Sequence, residues 1–361
     1  MRRHWRPALD AIVPYQAGKP LDMLAAESGL ADLVRLSANE NPLGPSLHVV
    51  RAIEREARAV HLYPDGGAFT LRDAIAKRVR VDPDQIIVGN GADELLALLA
   101  WAALDPGDEV VIPHPSFEPY TTVAAIAGAR AVLSPLAGYE TDLEDVQRRV
   151  TERTKLVVLC SPHNPAATII RRGPLGEFLS ALGPDPPLIL LDEAYGDFCD
   201  DPGYPDGVGL LANAPTLLVM RTFSKIAGLA GARVGYAVAH AEVIDRLNRV
   251  RAPYNVNRLA QAGAIAALED VEYWERSRRI VLEERAFLSR ELARLGYAFP
   301  PSQANFLLVN AGAGAGAACR RLFSAGILVR DGAAVGFPGH LRISVGTRPT
   351  NQRLLAALGP R

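Results

Sequence analysis

The chain of 361 residues is long enough for one large domain or two ordinary ones. Hydrophobic residues make up 49% and charged residues 22%, a balance that is typical of a globular protein with an ample core. The 39 lysines and arginines nearly cancel the 40 acidic residues, so the overall charge does not indicate nucleic-acid or membrane binding.

The sequence shows no targeting segment and no disulfide pattern. The basic start MRRHWRPALD is not followed by the apolar core of a signal peptide. The longest apolar run, LLALLAWAAL from Leu95, is about half as long as a membrane span. Cys160, Cys199 and Cys319 lie far apart without metal or redox spacing, which suits a reducing compartment. We therefore expect a cytoplasmic protein that binds no metal, membrane or nucleic acid.

In the first two thirds of the chain, short β-rich runs alternate with helical patterns. QIIVGN precedes the helical ELLALLAWAAL, and DEVVIPH precedes YTTVAAIAGA. Four later runs are typical of buried strands that end in polar residues: KLVVLCSP, PLILLDEAY, TLLVMRTFSK and RVGYAVA. Continuous apolar strands separated by helices predict an α/β fold, in which a mostly parallel central sheet is covered by helices on both faces.

After RAPYNVN the pattern changes to that of a second, smaller α+β domain. A helical stretch runs from about Arg258 to Leu295, and the strand-like segments ANFLLVN, GILVRDG and LRISVG follow. The low-complexity segment AGAGAGAA predicts a flexible turn that enters a helix, and NQRLLAAL predicts a closing helix. The predicted division is an N-terminal arm with part of the small domain at 1–35, a large domain at 36–255 and a small C-terminal domain at 256–361.

Polar side chains gather where the predicted strands end. In an open α/β sheet, ligands bind at the carboxyl ends of the strands. The residues at these ends are Gly91, Ala92, Asp93, Phe117, Asn164, Asp192, Tyr195, Ser224 and Lys225. A cofactor with a phosphate, an aromatic ring, a pyridine nitrogen, a phenolic oxygen and an aldehyde would engage all of these groups, and pyridoxal phosphate has this set.

Taken one at a time, most of these groups also have a structural explanation. GNGADE, between a strand and a helix, could hold a phosphate on its free N–H groups, or it could be an ordinary tight turn. Asp192 ends an apolar strand, where a buried carboxylate needs a cation such as a protonated pyridine; a metal or a helix cap would also explain it. Asn164 could donate to a phenolic oxygen or belong to a proline-bounded loop, and Tyr195 could do the same or merely pack.

Lys225 is the most informative residue, because its neighbours in RTFSKIAGLAGARVGY are mostly small, apolar or hydroxylic. Partly apolar surroundings lower the pKa of an amine, which makes it a competent Schiff-base nucleophile. Thr222, Ser224 and Arg233 could then hold a phosphate, the guanidinium through two parallel hydrogen bonds. The alternative is a lysine at a helix start whose amine extends into solvent. The order of the motifs along the chain favours the cofactor site.

A series of motifs along nearly the whole chain resembles the fold-type I pyridoxal-phosphate aminotransferases, most closely the histidinol-phosphate aminotransferase family. The motifs are LSANENPLGPS, YPDGG, GNGADELL, CSPHNP, LDEAYGDF, RTFSK, LAGARVGY, APYNVN, PSQANF, GILVRD and LRISVGT. The resemblance implies the type I fold, with residues 36–255 as the large domain that binds pyridoxal 5'-phosphate. It also implies a ping-pong transfer from histidinol phosphate to 2-oxoglutarate, which yields imidazole acetol phosphate and glutamate.

The resemblance implies a role for each residue of the cofactor site. Lys225 would form the Schiff base and shuttle the proton, and Asp192 would pair with the pyridine nitrogen. Asn164 and Tyr195 would contact the phenolic oxygen, and Phe117 would stack on the ring. The residues around the phosphate would be Gly91, Ala92, Asp93, Thr222, Ser224 and Arg233, joined by Tyr63 from the neighbouring subunit of a homodimer.

The resemblance also implies how the substrate is held. Arg342 of LRISVG would bind the α-carboxylate, and Arg330 of GILVRD would bind the phosphate of histidinol phosphate. Tyr15 and Asn39 would line the same side of the site. Without the resemblance, each arginine could equally be a solvated residue on a strand.

Three departures from the family pattern bear on the substrate. Ala166 and Ala167 stand where the family commonly has threonine and glycine, Ile226 and Ala227 replace alanine and an aromatic residue, and Ala232 replaces leucine. We expect these changes to alter packing and to leave the chemistry intact.

Other functions fit parts of the same pattern. The nearest alternative is an aromatic amino-acid aminotransferase, which would use the same catalytic set. A phosphothreonine decarboxylase of this fold fits ANENP and RTFSK less well. We do not expect a non-catalytic, cofactor-sensing regulator with a DNA-binding module, because the aminotransferase-like motifs begin almost at residue 1 and the sequence has no basic patch. A purely structural role would leave Lys225 and Asp192 unexplained.

Overall fold

The strands form two separate sheets in the computed structural model, which describes residues 4–14, 18–30 and 32–361. One sheet has seven strands in this part of the chain, and the other has four. The strands are β1 (Val34–Leu36), β2 (Ile86–Gly89), β3 (Glu109–His114), β4 (Arg130–Pro135), β5 (Thr154–Cys160), β6 (Leu188–Asp192), β7 (Leu217–Thr222), β8 (Gly235–Ala239), β9 (Phe306–Asn310), β10 (Ile327–Asp331) and β11 (His340–Ser344).

Helices separate most of these strands along the chain. They are α1 (Leu21–Ser28), α2 (Leu47–Ala57), α3 (Phe69–Val79), α4 (Ala92–Ala103), α5 (Pro119–Ala127), α6 (Leu143–Arg149), α7 (Arg172–Ala181), α8 (Ala241–Asn248), α9 (Arg258–Glu269), α10 (Val271–Arg294), α11 (Ala315–Ser324) and α12 (Arg348–Leu358). The predicted turn at 311–318 is a short 3-10 segment that leads into α11, as the sequence indicated. No helix among the described residues is long and apolar enough to cross a bilayer.

The seven-stranded sheet is mostly parallel, which confirms the predicted fold class. Its strand order is β2-β8-β7-β6-β5-β3-β4. All neighbouring pairs from β7 to β4 are parallel, and β8 runs antiparallel to both β7 and β2. The chain therefore brings the carboxyl ends of β5, β6 and β7 to one edge of the sheet.

Both faces of the large sheet are buried, because alternate strand residues enter different hydrophobic clusters. On β6, Ile189 and Leu191 belong to one cluster, and Leu190 belongs to the other. The same alternation occurs on β7, where Val219 and Met220 face opposite sides. This packing explains why the strands read as continuous apolar runs and not as an alternation of apolar and polar residues.

The four-stranded sheet has the order β1-β10-β11-β9 and carries its own hydrophobic cluster. Its first strand, β1, comes from the N-terminal part of the chain and pairs in parallel with β10. The β10–β11 and β11–β9 pairs are antiparallel. An N-terminal segment thus completes the sheet of the C-terminal residues, in the manner expected for 1–35, while the boundaries at 35 and 255 remain predictions.

The helical stretch expected from Arg258 to Leu295 is two helices, because the chain leaves the helical conformation at Asp270. The N–H of Asp270 still bonds to the carbonyl of Ala266 and closes α9. Its side chain accepts a hydrogen bond from the N–H of Tyr273, at 3.1 Å, and so caps the start of α10. One residue therefore ends one helix and begins the next, which helical periodicity alone does not show.

Candidate active site

Asp192 is a buried carboxylate with two neutral hydrogen-bond donors. It ends β6 and is only 4% exposed. Its Oδ2 accepts a hydrogen bond from the Tyr120 hydroxyl at 2.6 Å, and its Oδ1 accepts one from the N–H of Ala194 at 2.9 Å. Burial raises the pKa of Asp192 to about 6, although both donors oppose that rise. Within the described part of the chain it has no ion-pair partner, so its donor set fits a cationic pyridine nitrogen.

Lys225 follows β7 and lies beside Asp192's strand at the same edge of the sheet. Its Nζ donates a hydrogen bond to the carbonyl oxygen of Ala38 at 3.3 Å and lies 5.7 Å from the centre of the Tyr195 ring. Burial, together with the positive charges of Arg342 and Arg233, lowers the pKa of this amine to about 8. A substantial fraction of the amine is therefore neutral, and hence nucleophilic, near neutral pH.

Asn41 and Ser277 hold the backbone that carries Lys225. The Asn41 Nδ2 lies 3.0 Å from the carbonyl oxygen of Lys225 and 2.8 Å from that of Ile226. Ser277 Oγ donates to the carbonyl of Ile226 at 3.1 Å. Only Asn39 of the motif ANENP was predicted to take part in the site. Asn41 was missed because Lys225 and Ile226, whose carbonyls it holds, lie more than a hundred residues away along the chain.

The start of α4 forms a cradle for an anion. Gly91 precedes the helix with φ of 81°, and a Cβ at this position would overlap the guanidinium of Arg233. The N–H groups of the first turn, which includes Ala92 and Asp93, have no helical acceptor of their own. Close packing continues at Gly235, where a Cβ would come within 2.8 Å of the Ala92 nitrogen. The arrangement fits a phosphate group at the helix N-terminus.

The Asp93 carboxylate itself pairs with Arg233. Arg233 Nη2 donates to Asp93 Oδ2 at 3.0 Å, and its Nη1 donates to the carbonyl of Ala230 at 3.2 Å. The structure therefore places the Asp93 side chain against the arginine and leaves its backbone N–H for an anion. Thr222 and Ser224 are buried beside this cradle, and the N–H of Ser224 donates to Thr222 Oγ1 at 3.0 Å.

Tyr195 and Asn164 are each oriented as hydrogen-bond donors. Asn39 Nδ2 donates to the Tyr195 hydroxyl oxygen at 3.1 Å, which leaves the hydroxyl hydrogen for another acceptor. Arg342 Nη1 donates to Asn164 Oδ1 at 2.8 Å, which leaves Nδ2 to donate elsewhere. Burial raises the pKa of Tyr195 to about 12, so its hydroxyl keeps its proton. Two such donors suit a phenolic oxygen that carries negative charge.

Asn39 lies deeper than its predicted place on the substrate side. It is 1% exposed, and its N–H donates to Ser344 Oγ at 2.8 Å. Its carbonyl accepts a hydrogen bond from Asn305 at 3.0 Å. In the structure it orients Tyr195. Tyr15, also predicted for the substrate side, lies outside the described residues.

Arg330 and Arg342 lie directly opposite each other on β10 and β11. Opposed residues of antiparallel strands point to the same face of the sheet, so the two guanidinium groups share one face. Arg342 is held by Asn164 and by the carbonyl of Ser37, at 2.8 Å each. The Arg330 side chain makes no hydrogen bond or ion pair within the described residues. Two neighbouring guanidinium groups on one face, of which that of Arg330 has no carboxylate partner among the described residues, suit a ligand with two anionic groups.

Phe117 and Tyr63 occupy different parts of the molecule. Phe117 precedes α5 and packs edge-on against the Tyr120 ring, with centroids 5.5 Å apart. Tyr63 is 77% exposed and stacks on Tyr254, with centroids 4.7 Å apart. Phe117 thus sits next to the partner of Asp192, while Tyr63 lies on the surface beside Tyr254.

The departures from the family pattern fall at packed positions. Ala167 has φ of 63°, in the left-handed region, where the family's glycine would cost less. Its methyl group offsets part of that cost by packing in a buried cluster with Tyr195 and Phe306. Ile226 and Ala227 are fully buried in two different clusters. The structure thus places these residues at packed positions, while their effect on packing and chemistry stays a prediction.

The chain is similar to known proteins over nearly its whole length. Residues 31–358 match the family described as aminotransferase class I and II. The chain is 40% identical to a histidinol-phosphate aminotransferase of Moorella thermoacetica over 98% of this chain and 92% of that protein. It is 43% identical to one of an Anaeromyxobacter species, over 98% and 97%. The crystal structure of histidinol-phosphate aminotransferase from Sinorhizobium meliloti in complex with pyridoxal-5'-phosphate has a TM-score of 0.89 at 30% identity, with 98% and 96% of the two chains covered.

Proposed function

The chain belongs to the histidinol-phosphate aminotransferase family of class I and II aminotransferases, and we propose that it transfers the amino group of histidinol phosphate to 2-oxoglutarate. It is a pyridoxal-phosphate-dependent transaminase. The proposed products are imidazole acetol phosphate and glutamate. The observation that carries the choice of substrate is the pair of guanidinium groups at Arg330 and Arg342 on one face of the small sheet.

The residues at the strand ends would hold the cofactor through complementary groups. Asp192 would face the pyridine nitrogen, Asn164 and Tyr195 the phenolic oxygen, and Phe117 the ring. The phosphate would lie in the cradle, with partners Gly91, Ala92, Asp93, Thr222, Ser224 and Arg233. When bound, pyridoxal phosphate supplies an aldehyde that condenses with amines and a pyridinium ring that accepts an electron pair.

Lys225 would move the proton that amino transfer requires. Its neutral Nζ takes the proton from the substrate's Cα and holds it for return, acting first as general base and then as general acid. A pKa of about 8 suits both tasks near neutral pH, because neither form of the amine is scarce. Arg342 would orient the α-carboxylate. One site serves both half-reactions, so the keto product leaves before 2-oxoglutarate enters.

The rate at which the apoprotein captures pyridoxal 5'-phosphate should rise with pH through a midpoint near 8. Only the unprotonated amine is nucleophilic, and burial lowers the pKa of Lys225 to about 8 from the usual 10.5. Stopped-flow absorbance over a pH series measures the midpoint, with Lys225→Ala as the blank. A midpoint near the ordinary lysine value would contradict the buried amine.

A donor panel distinguishes the proposed substrate from its alternatives. Single-turnover conversion of the wild-type holoenzyme would be compared for histidinol phosphate, phenylalanine, tyrosine and phosphothreonine. We expect histidinol phosphate to react about 10–100-fold more efficiently than phenylalanine, because charge-assisted hydrogen bonds from Arg330 to a phosphate are lost with the aromatic donor. Equal efficiency for phenylalanine would favour an aromatic amino-acid aminotransferase. Carbon dioxide release from phosphothreonine would favour the decarboxylase.

The proposal includes a homodimer in which Tyr63 reaches the phosphate of the neighbouring subunit's cofactor. In support, Tyr63 is exposed and its ring stacks on that of Tyr254. Tyr254 is a non-glycine residue with φ of 57°, in the left-handed region that such residues rarely adopt. A Cβ at Gly66 would come within 3.0 Å of the Tyr254 ring, and Arg258 donates to the Tyr63 carbonyl at 3.3 Å. Leu62 and Phe69 are also exposed here, an apolar surface that a second copy would cover.

A mixed dimer tests the contribution of Tyr63. Lys225→Ala and Tyr63→Ala subunits would be combined by denaturation and refolding. If Tyr63 acts across the interface, the one competent site of the heterodimer has Lys225 from one chain and Tyr63 from the other. Its cofactor dissociation constant should then equal that of the wild type. A dissociation constant equal to that of Tyr63→Ala would place the tyrosine in its own subunit's site and overturn this part of the proposal.

A cytoplasmic location also belongs to the proposal. Cys160, Cys199 and Cys319 are free thiols, and two of them are buried. Unpaired cysteines are common where cellular reductants keep thiols reduced. Alkylation of the protein in intact cells, followed by mass analysis, would identify the compartment from the redox state of Cys319, the partly exposed thiol.

A further inference from the structure

Tyr120 touches Asp192 but has no role in the site as derived so far. It lies in the first turn of α5 and is 1% exposed. Its hydroxyl donates to Asp192 Oδ2 at 2.6 Å, the shorter of the two hydrogen bonds that the Asp192 carboxylate accepts from described residues. We propose that Tyr120 is a positioning residue that keeps Asp192 ionised and aimed, so that the pyridine nitrogen opposite stays protonated. This inference rests on the proposed pairing of Asp192 with that nitrogen.

The two donors to the Asp192 carboxylate each bind a different oxygen. The N–H of Ala194 is a backbone group two residues ahead, so it fixes Oδ1 within the local turn. The Tyr120 hydroxyl comes from another element, 72 residues away in sequence, and fixes Oδ2. A hydroxyl that donates to a carboxylate stabilises its ionised form, which burial otherwise disfavours. Without this hydroxyl, Asp192 keeps one donor in surroundings that favour its protonated form.

The other titratable groups near Asp192 do not replace the hydroxyl. Cys160 is paired with Asp192 in the β5–β6 register, but its Sγ lies 3.4 Å from the carbonyl oxygen of Pro162. Burial and the charge of Asp192 raise the pKa of the Cys160 thiol, so it stays neutral. Asp93 acts on Asp192 only through its charge and raises its pKa, whereas the charge of Lys225 lowers it. Tyr120 is therefore the side-chain donor that fixes this carboxylate among the described residues.

Tyr120 also links Asp192 to the residue expected to stack on the cofactor ring. Phe117 lies three residues earlier, and the two rings meet edge to face at 5.5 Å. The Tyr120 ring is packed in the same hydrophobic cluster as β5 and β6. The segment 117–120 would therefore position two groups around the cofactor ring. Phe117 would lie on the face of the ring, and Tyr120 would hold the Asp192 carboxylate at the ring nitrogen.

Tyr120→Phe tests the inference, because it removes only the hydroxyl. Tyr204→Phe is the matched control: the Tyr204 hydroxyl also makes a 2.6 Å hydrogen bond, but to the backbone carbonyl of Ser161. Two readouts are independent of turnover. One is the dissociation constant of pyridoxal phosphate, from fluorescence titration of the apoprotein. The other is the NMR shift of the ¹⁵N-labelled pyridine nitrogen in the holoenzyme, which reports its protonation.

We expect Tyr120→Phe to weaken cofactor binding about tenfold or more and to move the nitrogen signal toward the unprotonated position. Tyr204→Phe should leave both readouts unchanged. In an Asp192→Asn background, Tyr120→Phe should have no further effect on binding, because the carboxylate it serves is gone. Thermal unfolding of each apoprotein shows that the variants are folded.

Two results would overturn the inference. One is a Tyr120→Phe variant with the wild-type nitrogen shift and dissociation constant. The other is an equal loss in Tyr204→Phe, which would mean that removal of any buried hydroxyl has this effect. An unprotonated nitrogen in the wild-type holoenzyme is a separate outcome, because it would overturn the pairing with Asp192 itself.

Discussion

Lys225→Ala is expected to lower the rate of amino transfer by about 10³–10⁴-fold. A positioned general acid and base contributes about 10²–10⁴-fold, and the variant also loses the nucleophile that holds the cofactor. No other lysine can substitute, since the sequence has only Lys19, Lys77 and Lys155 besides, and all three are exposed elsewhere. Single-turnover kinetics with histidinol phosphate measures the loss.

Lys155→Ala is the matched control for this change. Lys155 is an exposed residue on β5, one of the strands that frame the site, and its amine has no contact with Lys225. It should keep wild-type rates and wild-type visible absorption. A Lys225→Ala protein that retained more than about a tenth of the rate would remove Lys225 from the mechanism.

Arg330→Ala is expected to lower kcat/KM for histidinol phosphate by about 10–100-fold, the equivalent of one charge-assisted, bidentate contact. The same change should leave kcat/KM for phenylalanine and for glutamate nearly unchanged, because neither donor carries a phosphate. Arg330→Lys should restore only part of the loss, since a lysine cannot form the two parallel hydrogen bonds. Steady-state kinetics with each donor measures the effect.

Arg290→Ala provides the control for loss of an arginine. Arg290 is an exposed residue of α10 that lies over the Phe287 ring. Replacement of Arg290 by alanine should leave kcat/KM unchanged for every donor. A uniform loss for every donor in Arg330→Ala would mean that Arg330 supports the fold or the carboxylate site, and its assignment to the substrate phosphate would be wrong.

The sequence predicted the elements that frame the site, because strand ends and glycine turns are local features. Asp192 and Thr222 end two strands that are mostly apolar, and Lys225 lies three residues after Thr222. The family, the fold and the cofactor predicted from the motifs are confirmed. The roles of individual residues stay predictions, supported by where the structure places them.

Contacts between distant segments could not be predicted in this way. Tyr120 reaches Asp192 across 72 residues, and Asn41 reaches Lys225 across 184. Tyr120 lies in the same motif as Phe117, and Asn41 lies in the same motif as Asn39. Only Phe117 and Asn39 were predicted to take part in the site. Single-sequence patterns indicate which residue ends a strand, but the partner that orients it depends on how the elements pack.

Locating the lysine that holds the cofactor tests the central claim most directly. Borohydride reduction of the wild-type holoenzyme fixes pyridoxal phosphate on that lysine, and peptide mass analysis identifies it. Because the chain has only four lysines, the assignment is unambiguous. We predict that the label is found on the peptide with Lys225 and that addition of histidinol phosphate before reduction prevents labelling. A label on Lys19, Lys77 or Lys155, or none at all, would contradict the account.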